Sequence, residues 1–443
     1  MYTRYNCSSP KFYGGGGRIR TYVGVSQQIY SLPPLATRAP LPAKPLIMPP
    51  QRGGVKYRVE IAANIGSIRA PPGEFCDSRE ICYRSPVLTD AIDLSQLRRV
   101  LVIKLRHHGD VLLTSPVFSI LKNHAPHLKI DALLYQDTAE MLTLHPAIEE
   151  IHTIDRAWKR AGLLTQARQE WALMSRLRSK RYDLVIHLSE HPRGAWVKRL
   201  TGAHYGVARR LSNRWWQNSF THLFPWAPGS TRHTVEIHLD ALRRIGLQPG
   251  LGERRLVLEP GLDAKRHITE ILAARGLSSK GFIHLHPTSR WLFKCWAEDK
   301  MTALMQALQA QGHALVVTSA PDARELAMLD RILRPLSQPM VNLGGQLTLK
   351  QLAALTAQAT LFIGVDSAPM HIAAAMQTPV LALFGPSGDK EWGPWMVPHR
   401  LITSDHSCRP CGQDGCGGGK ISECLTTLPV ERVLAAAQEL LAQ

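Results

Sequence analysis

The stretch LFIGVDSAPMHIAAAMQTPVLALFG, residues 361–385, decides the fold of this 443-residue chain. It opens with an apolar run typical of a strand buried in a parallel sheet, and the segment 364–369 then ends that run. Residues 370–376 favour a helix, and residues 379–384 favour a second buried strand. A helix that begins directly after a strand presents unpaired N–H groups and a positive partial charge at its N-terminus. This stretch therefore predicts a site for a diphosphate.

Strands and helices alternate on both sides of this stretch. Further strands are predicted at 98–105, 129–135, 149–155, 183–188, 282–287, 314–320 and 340–345. Helices are predicted at 115–125, 163–179, 233–245, 298–310, 322–333, 349–358 and 430–442. Such alternation is typical of βαβ units. The sequence therefore predicts an α/β chain of two Rossmann-like domains, whose parallel sheets face a central cleft.

The domain boundaries follow changes in composition. Residues 1–97 contain GGGG, paired prolines and little periodicity, so we interpret them as a disordered or mis-annotated extension. Part of that extension resembles a tRNA gene translated in the wrong frame, which would place the start of translation near Leu94–Arg99. Residues 98–255 are predicted to form the first domain. Residues 256–443 are predicted to form the second, with a cysteine-rich loop at 408–424 and a terminal helix.

The charge of the chain calls for an acidic partner. The formal net charge is +18 and the pI is about 9.8, which suits nucleic acid, a phosphorylated sugar or an anionic membrane face. No apolar run in the sequence is long enough to span a bilayer, for which about 18 residues are needed. The sparse cysteines outside 408–424 indicate a reducing compartment rather than a disulfide scaffold.

One candidate catalytic group follows the first predicted strand. Asp110 lies after the Gly109 turn at the cleft-facing edge, where a carboxylate can act as a general base. The alternative is that Asp110 only caps the next helix. The absence of a GxGxxG fingerprint here counts against a dinucleotide dehydrogenase.

Two candidate phosphate-binding segments follow strands of the second domain. Thr288 and Ser289 stand beside backbone N–H groups, and Lys294 offers a positive charge. In the stretch that opens this section, Ser367 and the helix N-terminus could meet phosphate, and Asp366 could bond a sugar or ribose hydroxyl. His371 could also donate to phosphate. The alternative for the first segment is a solvated polar loop, and for His371 a packed or capping side chain.

The cysteine-rich loop is the remaining candidate site. Its spacing is C-x₂-C-x₄-C-x₇-C, formed by Cys408, Cys411, Cys416 and Cys424. A C-x₂-C pair followed by two further cysteines suggests tetrahedral zinc, and free or redox-labile thiols are the alternative.

Three segments in this order resemble glycosyltransferase family 9, the ADP-heptose–lipopolysaccharide heptosyltransferases. They are VIKLRHHGDVLLTSPVFSILK, HPTSRWLFKCW and the long stretch that runs on to GPSGDKEWGPW. The segments ALLYQDTAEML (132–142) and SFTHLFP (219–225) make the resemblance strongest to the core heptosyltransferase III type. The resemblance covers residues 98–443 and none of the extension.

The resemblance implies a GT-B fold and an inverting transfer of heptose from ADP-heptose to the lipopolysaccharide inner core, with heptose III added to heptose II. It implies no cofactor for catalysis and no nucleic-acid partner. It implies that Asp110 is the catalytic base and that Arg106 and Gly109 belong to the acceptor side. The donor would be bound by Thr288, Ser289, Lys294, Asp322, Asp366, Ser367, Ala368 and His371. For the residue that bonds the ribose, Asp322 is the first choice and Glu325 the second.

The resemblance also implies a cytoplasmic enzyme, peripheral to the cytoplasmic face of the inner membrane. The basic residues that would meet an anionic acceptor or membrane are Lys198, Arg199, Arg209, Arg210 and Arg214. A solvated surface is the alternative for these five. The competing functions are a related GT-B transferase with another nucleotide sugar and a non-catalytic basic protein that binds nucleic acid.

Overall fold

The computed structural model describes residues 88–225 and 231–443, and the side chain of Lys159 is not described. The predictions for residues 1–87 lie outside the described residues. Ile92 and Leu97 are buried in the core, and the Ile92 N–H donates to the Ile245 carbonyl at 3.0 Å. The packed chain therefore includes residues upstream of the predicted boundary at 97.

The first half of the described chain contains a parallel sheet with strand order β3-β2-β1-β4-β5-β6. Its strands are β1 (Arg99–Lys104), β2 (Lys129–Tyr135), β3 (Glu150–Ile154), β4 (Leu184–His187), β5 (Tyr205–Arg209) and β6 (His222–Phe224). Its helices are α1 (His108–Leu112), α2 (Ser115–His124), α3 (Leu163–Ser179), α4 (Pro192–Thr201), α5 (Arg214–Gln217) and α6 (Thr234–Arg243). The central strands β1 and β4 are buried along their length because helices cover both faces.

The second half repeats this topology, with strand order β12-β11-β10-β7-β8-β9. Its strands are β7 (Phe282–His286), β8 (Ala314–Val317), β9 (Val341–Asn342), β10 (Leu361–Val365), β11 (Val380–Leu383) and β12 (His399–Ile402). Its helices are α7 (Leu262–Ala273), α8 (Glu298–Ala310), α9 (Ala323–Leu333), α10 (Leu349–Ala357), α11 (Ala368–Ala375), α12 (Asp389–Trp392), α13 (Glu423–Thr426) and α14 (Val430–Leu441).

Both sheets have the strand order of a doubly wound fold, counted within each half. The order reverses between β1 and β4 in the first sheet and between β7 and β10 in the second. In such sheets ligands bind beyond the carboxyl ends of the strands at this switch point. The predicted α/β fold with two Rossmann-like parallel sheets is confirmed, and the topology directs attention to the loops after these four strands.

The halves share one apolar core. Val111 and Leu112 of α1 belong to the same buried cluster as Met370 and Ile372 of α11. Lys350 of α10 adds polar contacts, since its ammonium donates to the carbonyls of Thr143 and Glu259 at 2.7 Å each. The carboxyl-end loops of the two sheets are therefore held close to each other.

The sequence prediction missed several elements, chiefly those with weak local signals. The short outer strands β5, β6 and β12 were not predicted, and neither was α4. The predicted strand at 340–345 is only Val341–Asn342, because the chain turns at the glycines that follow. Residues 250–265 were assigned to a connection, yet α7 begins at Leu262.

The start of β1 depends on one carboxylate from the neighbouring strand. Asp183, just before β4, accepts hydrogen bonds from the N–H groups of Arg98 and Arg99 at 2.7 and 2.9 Å. We expect Asp183→Ala to lower the free energy of unfolding by about 1–3 kcal/mol, because two backbone donors lose their acceptor. Urea unfolding measures this loss, and Asp183→Asn is the matched control that keeps an acceptor oxygen. Equal stability of Asp183→Ala and the parent protein would contradict the assignment.

Candidate active site

Asp110 lies at the switch point of the first sheet. It stands in the first turn of α1, directly after β1, and its side chain is 19% exposed. The alternative of a helix cap is wrong, since the N-cap positions of α1 and α2 are His107 and Thr114. The Asp110 carboxylate is therefore available to a ligand in the cleft.

Lys104 begins the candidate segment 104–110 but receives no role from the sequence, and it stands behind Asp110. Its Nζ lies 3.8 Å from Asp110 Oδ1, 3.0 Å from the Leu188 carbonyl and 2.8 Å from His238 Nε2. Burial lowers the pKa of Lys104 to about 8, and the Asp110 carboxylate acts in the opposite direction. A lysine inside the apolar strand VLVIKL is the only sequence signal that could have indicated this residue.

The protonation of His238 follows from its surroundings. Burial and the nearby Lys104 charge hold the pKa of His238 well below its usual value. Its ring is therefore neutral at pH 7, with Nδ1–H donating to the Leu113 carbonyl at 3.1 Å and Nε2 accepting from Lys104. This arrangement fixes the Lys104 ammonium in place beside the Asp110 carboxylate.

The N-terminus of α11 meets this region from the second half. A Cβ atom at Gly109 would lie 2.8 Å from His371 Cδ2 and 3.8 Å from Ala368 Cα. Only a glycine permits so close an approach. Gly109, predicted for the acceptor side, thus contacts two residues predicted for the donor side, and Asp110 follows it directly. Arg106 lies with its Nη2 3.4 Å from Glu190 Oε2 at the adjacent loop.

His371 is buried at the centre of the site. Burial lowers the pKa of His371 to about 4, although the carboxylates of Asp366 and Asp110 act to raise it. The ring is therefore neutral at pH 7. Its Nδ1 is buried and has no hydrogen-bond partner among the residues that the structure describes. That nitrogen is therefore a buried polar atom that the described residues leave unsatisfied.

Lys294 and Asp366 form a buried ion pair. Lys294 Nζ donates to Asp366 Oδ2 at 2.6 Å, and both side chains are more than nine-tenths buried. Burial tends to raise the pKa of Asp366, but the Lys294 charge and hydrogen bonds from Lys294 and Ser387 hold it below its usual value. The structure therefore brings together two of the predicted donor residues, with opposite charges.

Ser367 starts the helix that points at this pair. It is the N-cap residue of α11, yet its hydroxyl makes no capping bond and donates to the Val365 carbonyl at 3.3 Å. Within the first turn of α11, Pro369 has no N–H group, and the Met370 N–H donates to the Ser367 carbonyl at 3.1 Å. The N–H of Ala368, where the helix begins, has no side-chain acceptor among the described residues. This is the arrangement that favours an anion.

Thr288 and Ser289 follow β7 and are buried. Thr288 Oγ1 donates to Glu325 Oε2 at 2.8 Å, and burial raises the pKa of Glu325 while this bond lowers it. Asp322 is instead the N-cap of α9, where its carboxylate accepts from the N–H groups of Arg324 and Glu325. The acidic side chain that stands beside Thr288 is therefore Glu325.

Among the described residues, no three of the four cysteines in the loop at 408–424 have their sulfur atoms within 4.8 Å of one another. Cys424 is buried, while Cys408 and Cys416 are exposed. Within the described ranges, three side chains do have potential metal-ligand atoms within 4.8 Å of one another. They are Asp131, Glu150 and His152. Structural zinc at the cysteines stays a prediction.

The group around Asp131 is an ion-pair network rather than a metal centre. Arg99 Nη1 and the Tyr182 hydroxyl donate to Asp131 Oδ2 at 3.0 and 2.7 Å. Lys180 pairs with Glu150 in the same group. Cations already neutralise these carboxylates, so we assign them a structural role.

The ion pair in the site makes a testable contribution to stability. We expect Lys294→Met to lower the free energy of unfolding by about 3–5 kcal/mol, because it leaves the Asp366 charge buried and unpaired. The matched control is the double variant Lys294→Met, Asp366→Asn. It removes both charges and should recover part of the lost free energy of unfolding. Urea unfolding measures all three proteins.

The stability difference between the parent protein and Lys294→Met should depend on pH in a defined direction. A carboxylate whose pKa is lowered by folding stabilises the protein at pH values above its unfolded pKa, and this contribution is lost on acidification. The deficit of Lys294→Met should therefore shrink below about pH 3.8, the ordinary pKa of an aspartate. A deficit that is absent at pH 7, or that grows in acid, would contradict the assignment.

Comparison with known proteins places this site in a family. The sequence model of glycosyltransferase family 9 (heptosyltransferase) matches residues 170–421. Lipopolysaccharide heptosyltransferase 3 of Escherichia coli strain K12 is 36% identical over 342 residues, which cover 76% of this chain and 96% of that protein.

Solved structures share the fold. A glycosyltransferase family 9 protein from Veillonella parvula has a TM-score of 0.68 at 21% identity, covering 80% of this chain and 99% of that one. The ADP-heptose lps heptosyltransferase II of E. coli has a TM-score of 0.62 at 22% identity, covering 78% and 99%. The fold is therefore GT-B, and the chain belongs to glycosyltransferase family 9, the heptosyltransferases.

Proposed function

We propose that this protein transfers heptose from ADP-heptose to the inner core of lipopolysaccharide, adding the third heptose to the second. The relative named lipopolysaccharide heptosyltransferase 3 supports this, because the similarity extends over 96% of its length. The observation that carries the proposal is the close approach of Gly109 to α11, since Asp110 follows Gly109 and the N-terminus of α11 is where a diphosphate would bind.

On the donor side, the diphosphate would lie between Lys294 and the N-terminus of α11. The departing ADP gains negative charge, and a buried ammonium together with free N–H groups at Ser367 and Ala368 would stabilise that charge. The burial of Lys294 strengthens its part of the interaction, because little water screens its charge. Asp366 holds Lys294 in position before the donor arrives.

The ribose of the donor would be bonded by Glu325 rather than Asp322. Glu325 is buried beside Thr288 at the carboxyl end of β7, where a sugar hydroxyl could donate to its carboxylate. The Asp322 carboxylate already accepts two backbone hydrogen bonds at 3.0 and 3.4 Å. Recruiting it would therefore weaken the start of α9.

On the acceptor side, Asp110 would take the proton from the attacking hydroxyl as the bond to the heptose forms. Such assistance is worth about 10²–10⁴-fold in rate. A carboxylate base on the acceptor side fits a direct displacement that inverts the anomeric carbon. The Lys104 ammonium, 3.8 Å from Asp110 Oδ1, would orient the carboxylate toward the attacking hydroxyl.

We also propose that the protein works at the cytoplasmic face of the inner membrane, where its lipid-linked acceptor would lie. No helix in the described ranges has the length and apolar character to cross a membrane. Attachment would then be peripheral and would depend on the positive charge of the chain.

The role of Asp110 is tested by an isosteric variant. We expect Asp110→Asn to reduce kcat for heptose transfer by about 10²–10⁴-fold, because the amide cannot accept the proton. Its affinity for ADP, measured by calorimetry, should stay within about twofold of the parent value because the donor residues are untouched. Asp263→Asn, at an aspartate whose side chain is 95% exposed, is the matched control and should be fully active.

Two outcomes would contradict this role. One is an Asp110→Asn protein that transfers heptose at the parent rate. The other is a loss of ADP affinity as large as the loss of rate, which would make Asp110 a donor-binding or structural residue.

A further inference from the structure

Some of the basic residues expected to meet a membrane already contact other side chains of the protein. Arg209 forms an ion pair with Glu190, and Arg199 donates to Ser219 Oγ at 2.8 Å while it stacks on Trp215. Burial lowers the pKa of Lys198. A second basic surface lies on α3.

Helix α3 exposes large apolar side chains. Leu173 and Leu177 are buried against the first sheet, as expected for an amphipathic helix. On the outer side, Leu163 and Leu164 are 86% and 89% exposed, and Trp171 is 73% exposed. Leu164 and Trp171 are seven residues apart, so they lie on one face of the helix. An exposed apolar face of this kind marks an interaction surface.

The same segment is strongly basic. Residues 156–181 contain eight lysines and arginines and a single glutamate. Two of the basic side chains are paired, Arg156 with Asp137 and Lys180 with Glu150. The arginines of α3 itself have no acidic partner among the residues that the structure describes; they are Arg168, Arg176 and Arg178.

The start of α3 lies near the candidate active site. Helix α3 joins the parallel strands β3 and β4, so its N-terminus lies at the edge where those strands end. Arg156, just upstream, confirms this placement, because its Nη2 donates to the Arg106 carbonyl at 3.2 Å. The exposed leucines therefore begin on the side of the first half that carries Asp110.

Helix α4 extends this surface. It packs beside α3, and Arg193 forms an ion pair with Glu170 across the two helices. Trp196 and Leu200 of α4 are 51% and 44% exposed. The ring centroids of Trp196 and Trp215 lie 5.0 Å apart.

We propose that the outer face of α3, continued by Trp196 and Leu200 of α4, docks on a bilayer that contains anionic lipid. Leucine and tryptophan beside unpaired arginines form the pattern of a helix that lies in the membrane interface. The apolar side chains enter the headgroup region, and the arginines meet the lipid phosphates. A second copy of this chain would bring like charges together, and nucleic acid would leave the leucines without an apolar environment.

This docking rests on the proposed function and adds the surface that serves it. A bilayer against α3 would hold a lipid-linked acceptor on the side of the first half where Asp110 lies. Reaction with a membrane-bound acceptor would then not require the acceptor to leave the bilayer.

Flotation of the full chain with vesicles tests the proposal. The vesicles are phosphatidylcholine alone or phosphatidylcholine with 30% phosphatidylglycerol, each at low and high NaCl. The parent protein should bind the anionic vesicles and lose affinity at high salt, because the arginine–phosphate attraction is screened. The triple variant Leu163→Asn, Leu164→Asn, Trp171→Gln should bind at least about tenfold more weakly, since apolar burial contributes to interfacial binding.

A matched control tests whether any exposed leucines would serve, and an activity measurement tests whether the triple variant still folds. Leu251 and Leu262 are 73% and 83% exposed but lie outside α3 and α4, so Leu251→Asn, Leu262→Asn should bind vesicles like the parent protein. With a soluble truncated acceptor, the triple variant should transfer heptose at the parent rate, because α3 contributes no residue to the donor site.

Several results would overturn the proposal. These are parent-like vesicle binding by the triple variant, equal binding to neutral vesicles at all salt concentrations, or a dimer in light scattering that the triple variant abolishes. Loss of transfer to the soluble acceptor would also overturn it, since α3 would then be structural. If no protein transfers heptose but vesicle binding follows the expected pattern, the proposed function fails and the docking surface stands.

Discussion

The close approach of Gly109 to His371 is the contact on which the rest of the structure depends. A side chain at position 109 would bring a Cβ within 2.8 Å of the His371 ring, so only glycine lets the loop after β1 reach α11. Because each loop follows a switch-point strand of its own sheet, this single approach joins the two edges at which doubly wound sheets bind ligands. Asp110 follows Gly109 and thereby stands next to the helix that begins at Ser367.

Buried charges are arranged around this contact in pairs that hold each other. Lys104 is fixed by His238 and the Leu188 carbonyl, and Lys294 is fixed by Asp366. Burying such groups is costly, and the cost is offset only by close partners with good geometry. The site is therefore organised before any ligand binds, which is the condition under which fixed charges stabilise a developing negative charge most effectively.

Much of this could be predicted from the sequence where the signal is local. The stretch 361–385 contains strand, turn and helix in order, and the structure has β10, α11 and β11 there. The role of Lys104 was missed because its partner His238 is 134 residues away, and no local pattern reveals such a contact. The choice between Asp322 and Glu325 also required coordinates, since one turn of helix decides which carboxylate caps α9 and which faces Thr288. The outer strands β5, β6 and β12 are too short for a hydrophobic pattern in the sequence to indicate them.

The central claim is that a carboxylate of one half and a diphosphate site of the other act together on a heptose donor. Incubation of the purified protein with ADP-heptose and a panel of truncated inner-core acceptors tests it most directly, with ADP release and product mass as readouts. The account predicts one heptose transferred per acceptor, with equal release of ADP, when the acceptor ends in its second heptose. No ADP release with any acceptor, together with a gel shift of duplex DNA or RNA, would contradict it.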